Sequence, residues 1–207
     1  MTQIKICGLK YRPDIEVAVE QGADMIGFVF AASKRQVTPD QARILARDIP
    51  ETVKKVGVFV NESPAEINRI AAMVPLDIVQ CHGQETSADL ALINHPTIKA
   101  FPVKAGRMEG DITAYPDSLI LLDAPATQFE GGSGETFDWE ALGKTELPND
   151  RLIVAGGLNA GNVGVAIQQF HPFAVDISSG VETNGTKDPE KIIAFIQKVR
   201  GAEENEL

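Results

Sequence analysis

The stretch RLIVAGGLNAGNVGVAIQQFHPFAVDIS, residues 151–178, contains the repeating unit of this chain in one piece. It opens with an almost continuous apolar run, passes through closely spaced glycines, continues as an amphipathic segment and closes with a second apolar run. Near-continuous apolar runs are typical of parallel strands that are covered by helices. The stretch therefore predicts a strand, a glycine-rich loop, a helix and a second strand parallel to the first.

The same alternation extends over the whole chain on both sides of this stretch. Strand-like runs occupy residues 3–7, 24–30, 53–60, 77–81, 98–103, 118–123, 151–156 and 174–178. Two of the intervening helix candidates have clear starts, SPAEINRIAAMV at Ser63 and Pro64 and TPDQARILARDI at Thr38 and Pro39. A hydroxyl residue as N-cap followed by proline at the first helical position is typical of a helix start. The segment near residues 110–115 predicts at most one turn of helix.

Eight strand–helix units of about 25 residues, without a break in composition, predict a single (β/α)₈ barrel, the TIM barrel of eight parallel strands with outer helices. A doubly wound open sheet is the alternative, but it rarely needs eight evenly spaced units. Residues 1–200 are assigned to one barrel domain. The segment GAEENEL, residues 201–207, is predicted to be a charged C-terminal tail.

Composition narrows the possible partners. With 19 basic and 29 acidic residues the formal charge is −10, which argues against nucleic acid or an anionic membrane surface as a partner. No apolar run reaches the ~18 residues that a membrane span needs, and no signal peptide is visible. The two cysteines and three histidines lack metal-ligand spacing, so no metal site is predicted. So few cysteines favour the reducing cytoplasm.

Polar residues stand where the strand-like runs end, at the edge where a barrel holds its active site. Cys7 is interpreted equally well as a reactive thiol or as a small buried hydrophobe. Asp123 is as consistent with a cap on the following turn as with catalysis. Arg35 is by default a solvated surface residue, and His82 is more typical of packing or hydrogen bonding than of catalysis. The residues alone leave these alternatives open.

Two glycine-rich loops follow the seventh and eighth runs. The first contains Gly156 and Gly157, and the second contains Ser179 and Gly180. Such loops expose backbone N–H groups ahead of helix N-termini without a side chain in the way, which suits a phosphate dianion. The alternative is that the glycines only permit tight turns. Because both loops carry the pattern and barrels commonly bind phosphate there, we favour a phosphate site.

Taken together, eight stretches of the chain resemble the phosphoribosylanthranilate isomerase family of tryptophan biosynthesis. In the family's order they are KICGL, GADMIGFVFAASKRQVTPDQA, VGVFVN, VQCHGQE, LLDA, GGSGETFDW, AGGLNAGNV and VDISSGVETNGTKD. The resemblance covers nearly the whole chain and implies a single (β/α)₈ barrel. It also implies an Amadori rearrangement of N-(5'-phosphoribosyl)anthranilate, an aminoaldose, to the corresponding 1-deoxyribulose 5-phosphate.

The resemblance implies a role for individual residues. The family's general-base cysteine falls on Cys7, its general-acid aspartate on Asp123, and the arginine that holds the anthranilate carboxylate on Arg35. The phosphate loops fall on Gly156, Gly157, Ser179 and Gly180. The implied partner is a small phosphosugar, with no metal, no redox cofactor and no obligate protein partner.

Three positions depart from the family's pattern. Lys34 stands where proline is frequent, Cys81 where leucine is usual, and Lys10 where a smaller residue is expected. None of these removes a catalytic group. The two lysines bear on the charge of the rim, and we expect Lys10 or Arg35, with backbone N–H groups, to help Cys7 ionise.

Rival functions require residues that are not visible in the sequence. A ribulose-phosphate epimerase needs paired aspartates and histidine metal ligands at the strand ends. Indoleglycerol-phosphate synthase needs catalytic lysines and glutamates on strands. A non-catalytic phosphosugar-binding barrel would keep the glycine loops but has no need of both Cys7 and Asp123.

Overall fold

Eight parallel strands form the centre of the molecule, in a computed structural model that describes residues 1–104, 107–123 and 147–204. They are β1 (Gln3–Cys7), β2 (Met25–Val29), β3 (Lys54–Phe59), β4 (Ile78–Cys81), β5 (Thr97–Lys104), β6 (Leu119–Asp123), β7 (Leu152–Ala155) and β8 (Ala174–Ile177). Each strand coincides with one of the predicted apolar runs, so the strand predictions are confirmed.

The strands form a closed ring. Their order is β4-β3-β2-β1-β8-β7-β6-β5, and β5 pairs with β4 to complete the circle. Every neighbouring pair in the ring is parallel. A doubly wound sheet has two open edges, so the closure excludes that alternative and confirms the (β/α)₈ barrel.

Helices surround the barrel. They are α1 (Arg12–Glu20), α2 (Pro39–Ala46), α3 (Pro64–Met73), α4 (Ser87–Leu90), α5 (Val163–Phe170) and α6 (Pro189–Glu204). The predicted starts of α2 and α3 are confirmed. The Thr38 hydroxyl accepts a hydrogen bond from the N–H of Gln41, and the Ser63 hydroxyl accepts one from the N–H of Glu66. Each cap satisfies an N–H group that has no partner inside the helix.

The connection between β5 and β6 has no α-helix among its described residues. It contains one turn of 3₁₀ helix (Ile112–Ala114), as expected for this segment. A short strand (Arg107–Met108) before it pairs antiparallel with the end of β5. Strands of two residues are too short to show a hydrophobic period, so the sequence did not predict this one. The glycine-rich segment 129–139 and the helix expected after β6 lie outside the described residues.

Two apolar layers hold the barrel together. The interior is filled by side chains that alternate along the strands, including Met25, Ile98 and Leu121. The opposite faces of the strands pack against the helices in a larger layer, which includes Phe28 and Phe195. Successive side chains of each strand thus face the barrel interior and the helices in turn. Those that face the interior near the carboxyl ends of the strands can line a cavity there.

The last helix reaches Glu204, so the segment 201–207 begins inside α6, where Ala202 is buried. Residues 205–207 lie outside the described part of the chain. Among the helices that the structure describes, none combines the length and apolar character that a bilayer crossing requires.

Candidate active site at the carboxyl ends of the strands

A cavity of about 290 Å³ opens where the strands end. All seven residues that the sequence predicted for the site line it, namely Cys7, Arg35, Asp123, Gly156, Gly157, Ser179 and Gly180. The fold therefore brings together residues from five different strand ends or the loops behind them. In the described part of the chain, no group of three His, Cys, Asp or Glu residues is arranged to hold a metal ion.

Cys7 is the last residue of β1, and its cross-strand partner on β2 is Gly27. A Cβ atom at Gly27 would lie 2.9 Å from Sγ of Cys7 and 3.2 Å from Nζ of Lys5. Any side chain at this position would collide with one or both groups. The glycine thus lets a thiol and an ammonium group share one small space at the edge of the cavity, which favours the interpretation of Cys7 as a reactive thiol.

Lys5 forms an ion pair with Asp176 directly below Cys7. The two residues are register partners on β1 and β8, and Nζ of Lys5 lies 3.0 Å from Oδ2 of Asp176. Lys5 is fully buried, and burial disfavours its ammonium form, but the charges of Asp176 and Cys7 outweigh this and raise its pKa. The other oxygen of Asp176, Oδ1, is buried without a hydrogen-bond partner among the described residues.

The Cys7 thiol has a raised pKa. Burial is the main cause, because a thiolate loses solvation there, and the Lys5 ammonium acts in the opposite direction. Lys187 also favours the thiolate, whereas Asp176 opposes it. A cation that favours the thiolate was expected, and the stronger of the two, Lys5, comes from the barrel interior.

The expected sources of that positive charge have other partners. Nζ of Lys10 donates a hydrogen bond to the carbonyl oxygen of Lys34, 3.0 Å away. Arg35 forms an ion pair with Glu182. The cations that favour the Cys7 thiolate are therefore Lys5 and Lys187 rather than Lys10 or Arg35. The sequence could not show this, because which residues lie beside Cys7 depends on how the strands pair.

Asp123 ends β6 and faces the cavity with 41 % of its side chain exposed. Nε2 of His82 lies 3.1 Å from its Oδ2, and Nε2 of Gln80 lies 3.1 Å from Nδ1 of the same imidazole. The interpretation of His82 as a hydrogen-bonding residue is therefore confirmed. The residue that His82 contacts, Asp123, is the candidate general acid.

Arg35 is held by Glu182, from the loop after β8. Its Nε lies 2.5 Å from one carboxylate oxygen and its Nη2 lies 3.0 Å from the other. Lys34 and Lys187 also contact this carboxylate, at 3.0 and 3.2 Å. Burial disfavours the ionised form of Glu182, but hydrogen bonds from Arg35 and Lys34 and the charge of Lys187 lower its pKa to about 2. Arg35 is thus an ordered part of the rim rather than a freely solvated side chain.

The two glycine-rich loops lie in contact with each other. Gly156 and Gly157 have φ angles of 80° and 61°, a left-handed conformation that favours glycine. A Cβ atom at Gly180 would lie within 1.9 Å of the carbonyl oxygen of Leu158, so this position also requires glycine. Gly180 stands in a short 3₁₀ turn whose first N–H groups have no acceptor within that turn. Both loops thus present backbone to the cavity.

The comparison with protein families matches residues 4–198 to the family of N-(5'-phosphoribosyl)anthranilate (PRA) isomerases. The chain belongs to this family.

Relatives and solved structures of PRA isomerases agree with this membership. An N-(5'-phosphoribosyl)anthranilate isomerase of Listeria monocytogenes is 58 % identical over 97 % of this chain and 99 % of its own length. The crystal structure of the enzyme from Thermotoga maritima superposes with a TM-score of 0.85 at 43 % identity, covering 97 % of this chain and all of that one. A PRA isomerase complexed with reduced 1-(o-carboxyphenylamino)-1-deoxyribulose 5-phosphate has a TM-score of 0.84 at 40 % identity over 97 % of this chain and 100 % of its own.

Several polar residues that line this cavity or contact its lining were missed by the sequence analysis. They are Lys5, Gln80, Asp176, Glu182 and Lys187. Lys5, Gln80 and Asp176 lie inside apolar runs, where a charged or amide residue interrupts a buried strand. That interruption is a signal that could have been used, because charged groups are almost never fully buried without a partner.

Proposed function

We propose that this chain catalyses the Amadori rearrangement of N-(5'-phosphoribosyl)anthranilate to 1-(2-carboxyphenylamino)-1-deoxyribulose 5-phosphate, a step of L-tryptophan biosynthesis. One observation carries the proposal. A single cavity holds a thiol from β1, a carboxylate from β6 and two backbone-lined loops after β7 and β8. An aldose-to-ketose rearrangement of a sugar phosphate needs a general acid, a general base and a phosphate-binding site, and these groups can supply all three.

Asp123 is proposed as the general acid that opens the furanose ring. Its proton passes to the ring oxygen while the bond between that oxygen and C1 breaks, and the anthranilate nitrogen supplies the electron pair that forms the C1=N bond. The exposed position of Asp123 at the cavity wall allows it to reach a bound sugar.

Cys7 is proposed as the general base that removes the proton from C2. Its pKa is raised by burial, so the thiolate depends on the nearby Lys5 ammonium and on Lys187. After C2 loses its proton, the resulting enolamine takes up a proton at C1 and loses the proton of its C2 hydroxyl group, which gives the ketone. The acid and base stand on β6 and β1, separated in the ring by β7 and β8, and can therefore act on different sides of the substrate.

The glycine loops are proposed to bind the phosphate through backbone N–H groups of Gly156, Gly157, Ser179 and Gly180. Gly157→Val would add a side chain at a left-handed φ and crowd this site. We expect a rise in KM of at least about tenfold with a smaller change in kcat, because a phosphate contact acts on ground state and transition state alike. A folded variant with unchanged KM would remove the phosphate from these loops.

Arg35 is proposed to bind the anthranilate carboxylate with the edge of its guanidinium that Glu182 does not use. Glu182 occupies two of the five N–H donors, at Nε and Nη2. The opposite edge, with Nη1 and the second proton of Nη2, can then form a bidentate contact with the substrate. Arg35→Lys keeps the charge but has no second edge, so kcat/KM should fall. Near-wild-type kcat/KM would reject this contact.

The reaction as proposed needs no metal or redox cofactor, because protein groups supply each proton transfer. The partner is a small phosphosugar, and no obligate protein partner is part of the proposal. We place the enzyme in the cytoplasm, consistent with two cysteines that are both free thiols.

Turnover of N-(5'-phosphoribosyl)anthranilate, followed by the loss of its fluorescence, tests the proposal. Cys7→Ser and Asp123→Asn should each lower kcat by ~10²–10⁴-fold, the usual contribution of a general acid or base. Cys81→Ser is the matched control for Cys7→Ser, because Cys81 ends β4 but is buried away from the cavity. The same assay with the aminoaldose of histidine biosynthesis measures specificity. A Cys7→Ser enzyme that keeps most of its kcat would return Cys7 to the role of a packing residue.

A further inference from the structure

A hydrogen-bonded row of three side chains ends at Asp123. Nε2 of Gln80 lies 3.1 Å from Nδ1 of His82, and Nε2 of His82 lies 3.1 Å from Oδ2 of Asp123. Gln80 is almost fully buried, whereas 33 % of the His82 side chain is exposed. All three line the cavity. The proposed reaction uses only Asp123, so the other two side chains have no role in it yet.

The contact with Gln80 determines where His82 carries its proton. An amide nitrogen can only donate a hydrogen bond, so Nδ1 of His82 must accept it. The single proton of the neutral imidazole is then on Nε2, and it is donated to Oδ2 of Asp123. This arrangement suits an ionised Asp123, the form that exists after the residue has given its proton to the substrate.

A protonated Asp123 permits the opposite arrangement. When its O–H donates to Nε2 of His82, the imidazole proton is on Nδ1, where it needs an acceptor. Oε1 of Gln80 becomes that acceptor when the amide rotates by half a turn. Within the described residues this oxygen is buried and has no hydrogen-bond partner. Oε1 is therefore engaged in no other hydrogen bond that would hold it back from His82.

We propose that Gln80 and His82 are positioning residues that hold Asp123 in both of its protonation states, through a change of the His82 tautomer matched by rotation of the Gln80 amide. The proposal rests on the proposed function, in which Asp123 is the general acid. The imidazole carries one proton in each arrangement. To react, the O–H of Asp123 turns from Nε2 of His82 to the substrate oxygen and passes its proton there. His82 then releases the proton on Nδ1 to water and takes one up on Nε2, by exchange at the exposed third of its side chain.

The tautomer of His82 can be observed directly from the ¹⁵N chemical shifts of its two ring nitrogens. The chain has three histidines, and His82→Gln identifies the signals of His82 by their loss. In the free enzyme with Asp123 ionised, we expect the proton on Nε2. Gln80→Glu introduces a carboxylate that can only accept, so a proton should appear on Nδ1. Gln84→Glu, at an exposed position outside the cavity, is the matched control and should leave the His82 signals unchanged.

Steady-state kinetics test whether the row acts in the reaction. Gln80→Leu removes both ends of the amide and should lower kcat about tenfold, less than loss of the acid itself, with KM changed by no more than about twofold. His82→Leu should lower kcat by about tenfold to a hundredfold. His82→Gln should recover most of that loss, because its terminal amide can both donate to Asp123 and accept from it. Gln80→Leu carries the test if His82→Leu does not fold.

Two results would overturn the proposal. One is an Nδ1 of His82 that still carries no proton in Gln80→Glu. The other is a folded His82→Leu or Gln80→Leu enzyme whose kcat is within about twofold of wild type. Failure of the proposed function looks different, because the wild-type enzyme would then not turn over the aminoaldose while the ¹⁵N spectra still reported the coupling of Gln80 to His82. Retention of kcat by Asp123→Asn would reject the general acid and the positioning role with it.

Discussion

Two regions of the barrel contain the same three kinds of residue, yet only one of them faces the candidate active site. The β1 cluster consists of Lys5, Cys7 and Asp176, and the β4–β5 cluster consists of Lys99, Cys81 and Glu85. In each, a buried lysine pairs with a buried carboxylate at 3.0 Å, and a cysteine ends the strand beside them. What separates the two clusters is the face of the strand on which they lie. Lys5 and Cys7 point into the barrel, whereas Cys81 belongs to the layer between strands and helices.

Hydrogen bonding in the two clusters differs accordingly. Glu85 accepts hydrogen bonds from the N–H groups of Asn61 and Gly83 at 2.7 and 2.8 Å, and Lys99 also donates to the carbonyl oxygen of Gly83 at 2.6 Å. Asp176, in contrast, keeps one buried oxygen without a partner among the described residues. A fully satisfied network fixes the loop after β4, whereas the network at the cavity wall is only partly satisfied.

The cysteines reflect the same contrast. Burial, with the charge of Glu85, raises the pKa of Cys81 to about 12, against a smaller opposing effect of Lys99. Cys7 also has a raised pKa, but Lys5 is the largest opposing influence and the thiol borders a cavity. A lysine therefore opposes the rise in pKa at both cysteines, and the difference between them is that only Cys7 borders the cavity.

The largest effect is expected from Lys99→Met, which would break the ion pair of the β4–β5 cluster. An unpaired buried carboxylate at Glu85 should destabilise the fold by about 3–5 kcal/mol, measured as the free energy of unfolding in urea. Lys104→Met, on the same strand with an exposed ion pair to Glu109, is the control and should cost less than about 1 kcal/mol. In the folded variant kcat should stay within about fivefold of wild type. A hundredfold loss of kcat would mean that the two clusters do not differ in kind.

The clearest difference in activity between the two clusters is expected from Lys5→Met. The mutation removes the cation beside Cys7, so kcat should fall about a hundredfold, which corresponds to about 2.7 kcal/mol. It also leaves Asp176 unpaired, so the measurement belongs at a temperature where circular dichroism shows the variant folded. Lys99→Met, which breaks an equivalent pair, is the kinetic control. Equal losses of kcat in both variants would reduce the role of Lys5 to that of a structural ion pair.

Most of the architecture was predictable from the sequence for a reason that these clusters illustrate. The apolar runs are long enough to show their period, and the order of strands and helices leaves few topologies open. Rim residues such as Cys7 and Asp123 could be found because strand ends are visible in the pattern. The short strand Arg107–Met108 could not, because two residues carry no period.

Contacts between strands were not predictable in the same way. Lys5 and Asp176 are 171 positions apart and meet only because β1 and β8 pair in one register. The same holds for Arg35 and Glu182, which are 147 positions apart, so the ion pair that occupies one edge of the guanidinium was not visible in the sequence. A single sequence predicts which residues reach the rim, but the partner that tunes each of them depends on ring closure.

The smallest effect, about tenfold, is expected when Lys5→Met changes the rate at which iodoacetamide alkylates Cys7, with Cys81 as the internal comparison. Cys7 should react in the folded enzyme and Cys81 only after unfolding, because the latter is fully buried. The pKa of Cys7 is raised, so its thiolate fraction, and with it the rate, should still be increasing with pH between pH 8 and 9. Lys5→Met removes the cation that opposes this rise and should slow alkylation at pH 8 about tenfold, equivalent to about one pKa unit. Peptide mass spectrometry of time points gives both rates. Alkylation of Cys7 that is unaffected by Lys5→Met would show that the ammonium does not act on the thiol, and the contrast between the two clusters would then be one of access alone.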